Sequence, residues 1–257
     1  MKLSILVAKI EIKEQIRQPS MLLVMVLNYL IFASLFLFLI FILDTFFGDP
    51  QLMKMLDSEA LKNLGVKNLS MLVPLVITAF GTLLFTNLSL YSALLSGYSL
   101  LNDKENGTFP FLMLSPLSSF ELLLGKVMGA IYLPFLIHLF FVGTTTLLLR
   151  QFEILEPYFD KFGSSAAWWF AFLIGSPLSA FFVSAIGGLI SSLSRDVRTA
   201  FIYISFVVGF TSLLFGFTLF EHISSGIPLQ ILYAFLFCLF ALMTLMIGTR
   251  TLKRDLN

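Results

Sequence analysis

The stretch MLLVMVLNYLIFASLFLFLIFIL, Met21–Leu43, contains no Asp, Glu, Lys or Arg. A helix needs about 20 apolar residues to cross the hydrocarbon of a bilayer, and this run is long enough alone. Working outward, five more charge-free stretches of comparable length follow, at 68–102, 127–149, 162–194, 199–220 and 222–249. The whole composition agrees: 58% of the 257 residues are hydrophobic, 12% are charged and 30 are Phe. A soluble domain carries roughly a quarter charged residues, so this chain cannot cover a globule with a water-facing surface. The expectation is an all-α membrane protein, one transmembrane domain over 1–257. It has an interfacial helix over 1–19 and six spans near 21–43, 70–100, 124–149, 166–193, 199–220 and 228–249. Gly226 and Pro228 punctuate the last two spans and predict a tight hairpin.

Lys and Arg set the orientation. Lys2, Lys9, Lys13, Arg17, Lys104, Lys126, Arg195, Arg198, Arg250, Lys253 and Arg254 fall on one side of a six-span chain. Lys54, Lys62, Lys67, Arg150 and Lys161 fall on the other. Eleven against five predicts that both termini are cytoplasmic, in a plasma (inner) membrane protein. The N-terminal apolar run exceeds the roughly 7–15 residues of a secretory signal and lacks its small-residue cleavage site, so span one is expected to be retained.

Residues 2–17 have helix-forming composition and stop at Gln18-Pro19. Leu3, Leu6, Val7 and Ile10 form one apolar stripe, and Ile5, Ile12 and Ile16 a second. Such a helix suits the interface, touching both lipid and protein. The segment LNDKENGTFPFLMLSPLSSFELLLGK, Leu101–Lys126, is the most distinctive. Asn106-Gly107 allows a sharp turn, Thr108 is positioned to cap a short helix, and Pro110 is tolerated in its first turn. Ser115-Pro116 ends it, and Ser118 or Ser119 caps the next helix. A short apolar helix pinned between two spans on the cytoplasmic face is a surface that calls for a partner.

Glu105, Gly107-Thr108, Leu112 to Leu114, Ser115-Pro116-Leu117 and Gly125-Lys126, between spans two and three of six, resemble the ABC-2 family of ABC-transporter permeases. That resemblance makes 103–121 a coupling segment that seats against a separate cytoplasmic ATP-binding subunit. Glu105, Gly107, Thr108, Phe111, Leu112, Leu114, Pro116 and Leu117 would carry the contact, and Arg195 and Arg198, in the 194–198 loop, a second, smaller one. The bland reading of that loop is a topology signal alone. The resemblance also implies a second permease copy, as homo- or heterodimer, and favours export. Some members carry re-entrant helices between spans five and six; the 221–227 connection is too short for them.

Chemistry within the chain is sparse. Gly125-Lys126 lacks the upstream glycine and following Ser or Thr of a phosphate loop, so ATP, if it is used, is bound with its Mg ion by a partner, and no cofactor is expected here. There is no HExxH pair, no nucleic-acid partner is expected, and a lone Cys238 excludes an internal disulfide. Charge-free spans argue against an ion-coupled carrier. Small residues recur every four positions at Ser89, Ala93 and Gly97, and at Ser176, Ala180, Ser184, Gly188 and Ser192; they suit close helix packing within the bundle or between copies. His138, Asn28, Asn87 and Gln230 are the polar residues expected at membrane depth, where they must find partners. Met53, Met55, Met243 and Met246 fit apolar filler or, less simply, a copper path. The competing reading of the chain is a non-transporting scaffold or assembly factor that recruits a cytoplasmic partner through the same short helix. A hydrophobic or amphipathic cargo fits the aromatic, charge-free spans.

Overall fold

The computed structural model describes residues 2–48, 72–152, 169–194, 196–225 and 228–254. Among them there are helices and no strands. Helix α1 spans Lys2–Arg17, α2 Pro19–Gly48, α3 Leu72–Glu105, α4 Phe109–Leu114, α5 Ser119–Leu149, α6 Ser176–Leu193, α7 Val197–Ser225 and α8 Pro228–Arg254. Five helical stretches are long and apolar enough to cross a membrane: Pro19–Ile42, Val76–Glu105, Ser119–Leu149, Ala171–Leu193 and Arg198–Gly216. The described apolar part of α8, Phe235–Thr251, is shorter. This is an all-α membrane protein.

The bundle is organised around α3 and α6, which pack against each other more extensively than any other pair. α6 also takes α8 on a second side, while α3 takes α7 and α5. The largest core cluster is aromatic: Phe36 stacks on Phe80 and Phe85 on Phe215, each with ring centroids 3.7 Å apart, and Tyr29 stacks on Phe141 at 5.2 Å. Outward, the side chains are equally apolar, with Phe206 78% exposed and Phe38 and Phe140 nearly as bare. Inside, Ser89, Ser184 and Ser191 are buried completely. That inversion fits a bilayer, where apolar surface is not driven inward and small residues let backbones close up.

A π-turn, Ala171–Gly175, leads into α6, with the Ser176 N–H bonding to the Ala171 carbonyl. Pro177 follows. Its ring would strike the Leu173 carbonyl in an unbroken α-helix, and the wider turn relieves that conflict. The predicted hairpin between the last two spans differs in one respect. α7 runs through Glu221 to Ser225, α8 starts at Pro228, and the two helices touch little. They leave an apolar groove of about 390 Å³ over α6, lined by Phe182, Phe206, Phe210, Phe237 and Phe240 among others.

Candidate functional site

The turn after α3 is built from backbone chemistry. Gly107 has φ +66, the left-handed conformation that glycine adopts without a Cβ penalty. The Thr108 N–H bonds to the Asp103 carbonyl at 3.0 Å and the Gly107 N–H to the Lys104 carbonyl at 3.2 Å. This pair of bonds is a Schellman termination. Thr108 does not cap α4 with its side chain as expected: its backbone is helical and makes no side-chain cap. Its hydroxyl instead turns back to Asp103, 3.2 Å from the carbonyl and 3.1 Å from Oδ1. The expected cap fails because the Schellman turn already presents a carboxylate and a carbonyl to that hydroxyl.

Pro110 occupies the first turn of α4, where no intrahelical N–H is missed. Phe109 turns inward against Leu100, and the Lys104 ammonium lies 5.7 Å from its ring centre. The other face looks out: Phe111 is 74% and Leu114 84% exposed. Glu105, Thr108 and Pro116 are exposed, and Leu112 and Leu117 half-buried. Ser115 is extended, as the residue before Pro116 must be. Ser118 and Glu121 then form a reciprocal capping box that starts α5.

Lys126 is the largest departure from the sequence reading. It is the eighth residue of α5, at the start of the third turn, its side chain 4% exposed, with Nζ 2.6 Å from Glu11 Oε1 and 2.6 Å from Asp103 Oδ2. It also donates to Ser99 Oγ at 2.5 Å, and Ser99 Oγ sits 2.7 Å from both Glu11 oxygens. One ammonium therefore ties α1, α3 and α5 together. Asp103 extends the link, since its other carboxylate oxygen holds Thr108 at the entrance of α4. Two carboxylates on one ammonium leave the cluster net negative. Glu14, at its edge, is pushed above the ordinary carboxyl range by partial burial and then by Glu11.

α1 reaches Lys126 because α5 is hollowed beside it. A Cβ on Gly125 would stand 2.6 Å from the Val7 Cβ, and one on Gly129 2.6 Å from the Glu11 Cβ. The Gly-Lys pair thus seats a helix and neutralises its acid. The face of α1 that docks is Ser4, Val7, Ala8, Glu11 and Gln15. Of the two expected apolar stripes, only Val7 is buried; Leu3, Ile5, Leu6, Ile10 and Ile16 are exposed and Ile12 half-buried. Polar atoms decided the docking face because Lys126 needs a carboxylate.

The 194–198 loop lies beside this assembly. Lys104 Nζ donates to the Ser192 carbonyl at 2.6 Å, at the end of α6, where a cation complements the helix dipole. Asp196 accepts from the Thr199 N–H and hydroxyl, both at 2.7 Å, capping α7. Those bonds hold its carboxyl below the ordinary range. Arg198 is exposed; Arg195 lies outside the described residues.

Deeper in the bundle the polar groups are neutral. His138 on α5 is fully buried, with Nδ1 3.3 Å from the Tyr29 hydroxyl and Nε2 3.2 Å from Ser176 Oγ at the π-turn. Asn28 donates to Asn87 at 3.1 Å and to Tyr91 at 3.0 Å. In the α3–α6 seam Ser89 and Ser179 approach to 3.4 Å. There a Cβ on Gly187 would stand 2.7 Å from the Ala93 carbonyl oxygen, and one on Gly97 2.8 Å from Ser191 Oγ. Ala180 and Ser184 are buried within the bundle, and Gly188 lies against Leu123 of α5. Gln230 has no described side chain, Met53 and Met55 lie outside the described residues, and Met243 and Met246 face outward. Among the described residues no group of His, Cys, Asp and Glu could hold a metal.

A family model for the ABC-2 type transporter matches residues 3–223. The chain belongs to this family. No curated protein and no solved structure matches it. As an ABC-2 type transporter protein it is an integral, multi-pass transmembrane component of an ABC transporter. The match begins in α1 and takes in α4 and the Gly125-Lys126 seat. Sequence reasoning quoted Gly125-Lys126 but missed Glu11, Ser99 and Asp103 as its partners. The available signal was a lone lysine in the first turns of an apolar helix, which requires a carboxylate somewhere.

Proposed function

We propose that this chain is the non-catalytic permease subunit of an ATP-driven exporter. It crosses the plasma membrane six times with both termini cytoplasmic and moves a hydrophobic or amphipathic substrate. ATP and Mg are bound by a separate cytoplasmic subunit, and a second permease copy completes the pathway. The observation that carries the reading is α4: a rigidly held helix with Phe111 and Leu114 turned out, in a chain of the ABC-2 family. Glu105, Gly107, Pro116, Leu117 and the 194–198 loop with Arg195 and Arg198 frame that contact. Closure of the ATP-binding subunits presses on α4; the Asp103–Lys126–Glu11 ion pairs pass the displacement to α5 and α1, and the Lys104 hydrogen bond to the Ser192 carbonyl passes it to α6.

The test is a mild-detergent pull-down of the tagged chain, with mass spectrometry and an ATPase assay on the eluate. A stoichiometric ATP-binding protein is expected, lost in Phe111→Asp/Leu114→Asp while the chain still inserts. Capture of a stoichiometric partner without ATPase activity would favour the scaffold reading instead.

A further inference from the structure

α1 presents two opposed faces. Its polar face is consumed by α5 and Lys126. The outward face carries Lys9, Lys13 and Arg17, four residues apart and so in one row along the helix. All three are exposed, flanked by exposed Ile5 and Ile16 on one side and Leu6 and Ile10 on the other. The ion pairs among the described residues centre on Lys126, and none engages this row. Gln18 alone separates Arg17 from α2, whose membrane-crossing stretch starts at Pro19. The row is therefore held at the membrane surface, with apolar neighbours to enter the acyl boundary and ammonium and guanidinium groups to reach headgroups.

We infer that α1 binds anionic phospholipid headgroups through Lys9, Lys13 and Arg17, and that the Glu11–Lys126–Asp103 link passes this occupancy to α4. Charge complementarity selects the ligand: a row of exposed cations, with Glu14 beside Arg17, is drawn to an anionic surface and little to a zwitterionic one. Helix rigidity supplies the route, because Glu11 stands on the same sixteen-residue helix, opposite the row. Asp103 then touches both Lys126 and Thr108, so α1 and the start of α4 share one carboxylate-ammonium bridge. The inference rests on the preceding section only in taking α4 as the surface that meets the ATP-binding subunit.

The test is hydrogen exchange on the full chain in lipid nanodiscs, either phosphatidylcholine alone or with about one third phosphatidylglycerol. No partner is needed, so its outcome is separate from that of the pull-down. In the anionic discs the amides of 2–17 should exchange about tenfold more slowly, with a smaller slowing across 106–114. Salt at about 0.5 M should remove both effects. Lys9→Gln/Lys13→Gln/Arg17→Gln should lose both, and these exposed sites spare the fold. Glu11→Gln should keep the response of 2–17 and lose that of 106–114. Equal exchange of 2–17 in the two lipids overturns headgroup binding. A response at 106–114 that survives Glu11→Gln, or none there in the unmodified chain, overturns the link.

Discussion

Two buried polar assemblies sit in this bundle and are built from different chemistry. Around Lys126, three ionised side chains and a serine join α1, α3 and α5. Around His138, a phenol, an imidazole and a hydroxyl join α2, α5 and α6. Both are screened from solvent, and both hold three helices. The first lies where α5 starts, next to the turn after α3; the second lies well inside α2 and α5. A charge buried without a partner costs several kcal/mol, and an ammonium between two carboxylates removes most of that cost. A neutral hydrogen bond in a bundle core is worth less, but it also leaves less behind when broken. Charge is used where helices must be locked in one register, and neutral groups where they must pack in lipid.

The comparison is tested most severely by Lys126→Met, which leaves Glu11 and Asp103 facing each other without a cation. A loss of about 3–5 kcal/mol is expected, read by denaturant-induced unfolding in mild detergent. A loss near zero would mean that water or lipid headgroups already screen the cluster, and the contrast would collapse.

Packing without charge comes next. Gly187→Ala directs a methyl at the Ala93 carbonyl 2.7 Å away, a backbone atom that cannot swing aside. About 1–3 kcal/mol should be lost. His138→Leu, with similar volume, removes the bonds to Tyr29 and Ser176 and should cost only about 1 kcal/mol. If it costs as much as Lys126→Met, the neutral chain is as essential as the ionic one, and depth does not separate them.

The smallest effect has the opposite sign. The Glu14 carboxyl is pushed up in the fold, so the native state binds its proton more readily than the unfolded chain does. Its ionised form opposes folding above the folded pKa and ceases to do so below the ordinary carboxyl value. Glu14→Gln should therefore be neutral or slightly stabilising at neutral pH, with the difference vanishing in acid. The side chain is largely exposed, which keeps the gain small. A clear destabilisation would show that Glu14 supports the cluster rather than crowding it.

The sequence was informative wherever one physical rule acted alone. Charge-free runs such as Met21–Leu43 fix the all-helical membrane class, because an apolar run of that length satisfies its own backbone in lipid as a helix, whereas barrel strands are shorter and alternate. Gln18-Pro19, Asn106-Gly107 and Ser115-Pro116 mark helix ends through φ restrictions that need no tertiary partner. A serine cap at Ser118 or Ser119 was legible, and the reciprocal bonds with Glu121 fix it as Ser118. Thr108 was misread because its competing acceptor, Asp103, becomes available only after the chain has turned. The two apolar stripes of α1 were legible but its docking face was not, because next to a bilayer apolar side chains need not turn toward protein.

What the sequence determined by itself is therefore local or compositional: the class, most helix boundaries, and a short apolar helix between the second and third apolar stretches. What only the tertiary structure decided is which distant groups meet. Glu11, Ser99, Asp103 and Lys126 come from four separate points along 116 residues of chain, and His138 meets Tyr29 across 109. Pairing of this kind depends on helix rotation and on where glycines let backbones approach, at Gly125, Gly129 and Gly187. Those are properties of the packed bundle, since a single helix reads the same from its sequence whichever of its faces is turned inward.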